Sequence, residues 1–167
     1  TSTPIHAPER RAPLDLYAQP VETPAPVRHR VVVQRFIQDV FNRQNPAAVM
    51  DTCATKFAWH GGSLGEARGL PAYQHVLAIF FAAFPDLQIE ILDAIAEGDR
   101  VAVRFSMSGT HLGEFQGIAP TFKRVTGGGT NAYRLENSRI AEEWWQGDML
   151  VLLQQMDAAP STVRIGS

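Results

Sequence analysis

Arg139-Ile-Ala-Glu-Glu-Trp-Trp-Gln-Gly-Asp-Met-Leu-Val-Leu-Leu-Gln-Gln-Met156 carries two periodicities, one after the other. Up to Gln146 it reads as a strand bearing two tryptophans, with residues that can alternate between two faces. From Asp148 the apolar residues fall at Met149, Leu150, Leu152, Leu153 and Met156, the spacing of one helical face. Asp148 follows Gly147 at the junction, which is the place of an N-cap. A straight strand also puts Ile140, Glu142, Trp144, Gln146 and Asp148 on one face. A carboxylate ending that face would stand at the mouth or floor of an apolar pocket, where burial suits it to proton transfer. Asp148 therefore has two readings, cap and acid/base, and one side chain cannot fully serve both.

Just upstream, Asn137-Ser138 predicts a two-residue hairpin turn. That turn pairs Leu135 with Ile140, Tyr133 with Glu142, Asn131 with Trp144 and Gly129 with Gln146. Tyr133, Asn131, Trp144, Gln146 and Asp148 then share a face that mixes flat apolar surface with a few hydrogen-bonding groups, the make-up of a small-molecule pocket. Ala132, Arg134, Glu143 and Trp145 fall on the other face, where Trp145 reads as core or dimer interface. Glu142 and Glu143 are adjacent, point to opposite faces and cannot act as a carboxylate pair.

Further back the chain is helical, then sheet. Val32, Val33, Phe36, Ile37, Val40 and Phe41 form a helical stripe, and Pro46 suits the first turn of a short second helix. Lys56–His60 alternates as a strand, and a third helix runs from about Leu70 to Phe84, ended by Pro85. Leu87, Ile89 and Ile91 alternate, as do Val101, Val103, Phe105 and Met107 across a turn at Glu97-Gly98-Asp99. Gly109–Gly113 breaks or bulges that strand. The next strand runs from Arg124 to Leu135 despite Gly127-Gly128-Gly129. Helices first, then a meander of antiparallel strands and a terminal helix, predict an α+β fold with helices on one face of a curved sheet.

The 167 residues suit one domain over 27–157, preceded by a proline-rich arm over 1–26 and followed by a tail over 158–167. The arm lacks periodic apolar residues and is expected to be disordered or laid over the domain or a neighbouring subunit, with Leu14, Leu16 and Tyr17 as anchors. A formal net charge of -2 gives no electrostatic reason to expect nucleic acid. The single cysteine, Cys53, rules out an intrachain disulfide framework and reads as a small core residue. No Cys/His cluster has zinc-ligand spacing, and no apolar run approaches membrane-spanning length. The chain begins at Thr1, which allows for N-terminal processing; without a signal peptide pattern the default expectation is the cytoplasm.

This order, together with Gly109-Thr-His-Leu-Gly-Glu-Phe-Gln-Gly-Ile-Ala-Pro-Thr-Phe-Lys123 and Ile140-Ala-Glu-Glu-Trp-Trp-Gln-Gly-Asp148, resembles the SnoaL-like polyketide cyclases, or ester cyclases, of the nuclear-transport-factor-2-like superfamily. The resemblance covers residues 28 to 156. It implies a cone-shaped antiparallel sheet around a deep apolar cavity, a homodimer packed sheet to sheet, and intramolecular aldol cyclisation without metal or cofactor. It gives the position of Asp148 the acid/base role. Two places depart from the family pattern. Phe122 replaces a turn glycine in Ala-Pro-Thr-Phe-Lys, and the triple glycine either widens the cavity or marks a bulge, the bulge being favoured.

On that frame His111, after a glycine at a strand break, and His60, before two glycines, are candidates to hydrogen-bond a substrate carbonyl or enolate. The resulting expectation is a cofactor-free enzyme acting next to a carbonyl of a hydrophobic small molecule, of polyketide type. Asp148 and His111 are its catalytic candidates, and Trp144, Gln146, Asn131, His60 and Tyr133 its binding residues. The alternatives are a non-catalytic binding domain, or an isomerase, hydratase or epoxide hydrolase on the same fold.

Overall fold

A computed structural model of the protein describes residues 24–159. The expected arm up to residue 23, with its proposed anchors, and the tail from 160 lie outside the described residues. Helix α1 spans Ala25–Phe36, two residues earlier than the expected domain start, with Pro26 in its first turn. It continues to Asn42 as a wider π-helical stretch. Pro46 opens a short 3-10 turn into α2, Val49–Thr52, and the Asn45 side chain accepts a hydrogen bond from the Ala47 amide there. Strand β1 is Cys53–His60, β2 is Glu66–Arg68, and α3 is Leu70–Ala83, stopping before Pro85. Four strands follow: β3 Gln88–Glu97, β4 Arg100–Thr110, β5 Arg124–Glu136 and β6 Arg139–Trp144. Helix α4, Met149–Gln155, closes the described chain.

The strands form one sheet in the order β2-β1-β6-β5-β4-β3. Its pairs are antiparallel except for β1 and β6, which run parallel and set Trp59 beside Glu143 and His60 beside Trp144. The Glu66–Arg68 segment adds a short edge strand to β1. Val33, Phe36 and Val40 of α1 and its extension, with Tyr73 and Leu77 of α3, pack against Val101, Val103, Phe105, Tyr133, Leu135 and Ile140 of the sheet. A second cluster, with Phe84, Leu87, Phe115, Val125, Leu152 and Met156, is built from the end of α3, the 111–123 loop and α4. The expected α+β architecture is what the chain adopts. Among the described residues no helix is long and apolar enough to cross a membrane.

The β5–β6 hairpin turns at Asn137-Ser138 with both φ angles positive (50° and 59°), as a two-residue type I′ turn requires. Leu135 pairs with Ile140 as expected, but the register shifts at once: Arg134 pairs with Glu142, Tyr133 with Glu143 and Ala132 with Trp144. Ala141 is the extra residue, buried beside Ile140. This bulge reverses the expected faces of β6. Glu143 and Trp145 join Tyr133 and Asn131 on the inner side, while Glu142, Trp144 and Gln146 turn outward.

The triple glycine is not a bulge, since β4 and β5 pair without a shift from Arg100–Arg134 to Thr110–Arg124. Its cause is the link from β6 to α4, which crosses tightly over β5. Thr130 donates its amide to the Gln146 carbonyl (3.1 Å) and Asp148 donates to the Gly128 carbonyl (2.9 Å). A Cβ on Gly129 would run into the Gln146 carbonyl oxygen and lie 2.8 Å from the Gly147 Cα.

Candidate active site

An apolar cavity lies between the helices and the inner face of the sheet. Ile37, Phe41, Trp59, Leu77, Phe105, Met107 and Trp145 supply most of its wall, and Tyr73, Asn131, Tyr133 and Glu143 its polar groups. Its free volume is about 30 Å³, room for one or two waters.

Glu143 is the one carboxyl lining this cavity among the described residues, and it is fully buried. Tyr73 of α3 donates its hydroxyl to Oε2 at 3.0 Å, and the Asn131 side-chain amide of β5 donates to Oε1 at 2.9 Å. Tyr133 stands beside the same carboxyl, its hydroxyl oxygen accepting from Asn131 Nδ2 at 3.2 Å. Burial pushes the Glu143 pKa up to about 7; the neighbouring Tyr73, Tyr133 and Asn131 side chains favour the anion and limit the rise. Both tyrosines hold their protons well above the usual range, first through burial and then through the neighbouring Glu143 charge. The result is a carboxyl able to take or give a proton near neutrality, in surroundings where its partners stay neutral.

The predicted site residues divide. Asn131 and Tyr133 are in the cavity. Asp148 is exposed and accepts a hydrogen bond from the Val151 amide at 3.1 Å, the geometry of the cap. With Gln146 it borders a surface groove that also takes in Gly127, Gly128 and Val151. Trp144 lies on the outer face, stacked on His60 (ring centroids 5.2 Å apart, 13° between planes) with the Arg100 guanidinium 5.3 Å from its ring centre. His60 stands between Glu66 (3.3 Å) and Glu142 (3.5 Å) on that side. Trp145, expected on the face away from the pocket as core or dimer interface, is the tryptophan that walls the cavity.

His111 is fully buried, but against Phe84 of the second cluster rather than in the cavity. Its Nδ1 accepts the Thr121 amide at 3.3 Å and lies 3.0 Å from the Thr121 hydroxyl, and its ring lies against Phe84. It braces the 111–123 loop, in which Phe122 takes the left-handed conformation of a turn glycine (φ 60°) and leaves its ring in solvent. Cys53 is buried, and burial pushes its thiol up to about 12, as befits an inert core residue. Among the described residues no group of His, Cys, Asp and Glu is assembled to hold a metal ion.

Glu143 was missed because its significance depends on the bulge. The available signal was the adjacent apolar pair Ile140-Ala141, which interrupts alternation just before it.

Among curated proteins none matches the chain. Solved structures do. A protein described as a SnoaL-like polyketide cyclase from Jannaschia sp. CCS1 superposes with a TM-score of 0.76 at 21% identity, over 85% of this chain and 100% of that one. AclR of Streptomyces galilaeus, described as a hydroxylase, gives 0.74 at 24% identity, over 84% and 92%. IdmH of Streptomyces antibioticus, described as a polyketide cyclase, gives 0.68 at 26% identity, over 77% and 98%. The sequence profile of the SnoaL-like polyketide cyclases matches residues 31–156, three quarters of the chain, and by that match the protein belongs to the SnoaL-like polyketide cyclase family.

Proposed function

We propose that the protein is a cofactor-free acid/base enzyme that closes a ring in a carbonyl-rich, polyketide-type molecule by intramolecular aldol addition, with Glu143 as its proton-transfer group. The observation that carries this reading is one buried carboxyl, its pKa pushed up to about 7 by burial, in a mostly apolar cavity. The Glu143 anion takes a proton from the carbon between two carbonyls, where the resulting enolate is delocalised enough for so weak a base. Once Glu143 is protonated it needs fewer donors, which frees Tyr73 or Tyr133 to hydrogen-bond the enolate oxygen. The enolate carbon forms the new bond to a second carbonyl carbon. That carbonyl's π pair moves to its oxygen, which takes the proton back from Glu143. Trp59 and Trp145 offer flat faces to the ring being formed.

The test is ring closure of a polyketide-derived anthraquinone ester by two variants. Glu143→Gln should lose roughly 10²-fold or more in turnover, the scale of a positioned proton-transfer group, while Asp148→Asn, still able to cap α4, should turn over normally. The reverse pattern would return the chemistry to Asp148. A second reading, a binding domain without catalysis, is favoured by Glu143 being satisfied by its own neighbours. Ligand binding without turnover in the wild type would support it.

The reading includes a homodimer formed through the outer sheet face. Among the described residues that face bears half-buried Trp144 and exposed Ile95. Sedimentation at micromolar concentration should give twice the chain mass; a monomer removes this part.

A further inference from the structure

Asn131 was expected to bind substrate, but its amide is already committed. Its Nδ2 donates to Glu143 Oε1 at 2.9 Å and to the Tyr133 hydroxyl oxygen at 3.2 Å, which uses both of its hydrogens. Its Oδ1 accepts the Gln146 backbone amide at 3.2 Å, and that bond fixes which end of the amide faces Glu143. The same Nδ2 fixes the Tyr133 hydroxyl oxygen as an acceptor beside the Glu143 carboxyl. One side chain thus orients both a carboxyl oxygen and a tyrosine hydroxyl, and is itself held by the link between β6 and α4.

We propose that Asn131 is a positioning residue: it joins the Gln146–Asp148 segment to Glu143 and sets the direction and strength of that carboxyl as a proton acceptor. This rests on Glu143 being the proton-transfer group. It also gives the Trp-Trp-Gln-Gly-Asp stretch a part in the site through the Gln146 backbone rather than through the Asp148 side chain. The other ionisable groups around Glu143 are Tyr73 of α3, Tyr133 of β5 and Cys53 of β1. All three are held above their ordinary values by burial, so they stay neutral through the range in which Glu143 titrates. Glu142 precedes it on β6 but points outward to Arg134.

The experiment follows the Glu143 carboxyl by carbon-13 NMR in glutamate-labelled protein, beside the pH dependence of kcat/KM. Asn131→Ala removes a donor to the anion and should move the Glu143 titration upward by roughly one to two pH units, the worth of one hydrogen bond to a charged group. The acid limb of kcat/KM should follow. Asn131→Asp keeps the shape and an acceptor for the Gln146 amide, but puts a carboxyl oxygen where the donor stood 2.9 Å from Oε1. It should move the titration further upward, because the two oxygens must share a proton. Unmoved titrations in both variants would overturn the proposal. So would an Asn131→Ala that raises KM at every pH without moving the limb, since that is the mark of a substrate contact. The titration reads the hold of Asn131 on Glu143 whether or not Glu143 is the base. Turnover of Glu143→Gln reads the base alone, so the two failures are distinguishable.

Discussion

A carboxyl sealed among two tyrosines and an asparagine keeps its proton where a surface carboxyl would have lost it, and that difference has a sign in stability. Glu143 titrates at about 7 when folded against an ordinary 4.5. As pH rises between these values the unfolded chain gives up the proton first, so the native state loses stability through that window and levels off above it. The gap, 7 − 4.5, is worth roughly 3 kcal/mol at most. Glu66, Asp86 and Glu142 act the other way. Hydrogen bonds from His60, Thr110 and Arg134 respectively hold them below their ordinary range, so what they contribute is lost only in stronger acid, as pH falls through their lowered values. The two windows do not overlap. Urea unfolding should therefore show the wild type less stable at about pH 8 than at about pH 5, whereas Glu143→Gln, which keeps the shape of the protonated acid, should show little difference. Equal pH dependence in both proteins would mean that Glu143 is not held neutral by burial.

The strands and helices follow local pattern closely, and the misreading lies in how two of them meet. Alternation through Val101, Val103 and Phe105 identifies β4, Pro85 ends α3, and Asn137-Ser138 marks the hairpin, because each signal acts within a few residues. The extra residue at Ala141 carries no glycine, and its one local mark is the apolar pair it makes with Ile140, yet it turns Glu143 and Trp145 inward and Trp144 outward. Alternation placed Asn131 and Tyr133 on the face that lines the cavity, because they lie on the strand without the bulge. The parallel pairing of β1 with β6 was invisible too, since it joins segments about eighty residues apart with no turn between them to read. The triple glycine belongs to the same class, as only the crossing of the β6–α4 link explains it. Gly129→Ala should push that link off β5, breaking the Thr130–Gln146 and Asp148–Gly128 bonds, at a cost of about 2–3 kcal/mol. Gly127→Ala, whose added methyl would sit an ordinary 3.6 Å from the Met107 Cγ, should be nearly silent. Thermal midpoints decide it: a fall of roughly 5–10 °C is expected for the first and almost none for the second.

At the scale of the whole molecule, the cavity is smaller than anything the proposed chemistry would act upon. Free space of about 30 Å³ takes one or two waters, whereas a fused-ring substrate needs several times as much. Binding must therefore move side chains, and the movable ones stand where the two cores meet. Phe41 and Met107 line the cavity and also pack against both clusters, so the 111–123 loop and α4 are mechanically joined to the cavity wall. Met107 is the softer of the two, being unbranched, half-buried and backed on β5 by Gly127, which offers no side chain of its own. Met107→Ala should destabilise the fold by about 2 kcal/mol, the low end for such a truncation because the residue is only half-buried. The same change should open a dry space beside Phe105 and Trp145. A flat apolar probe such as naphthalene should then raise the variant's thermal midpoint and leave the wild type's unchanged, because only the variant has space ready for it. Equal stabilisation of both proteins would show that the wild-type cavity opens by itself, with Met107 no barrier to entry.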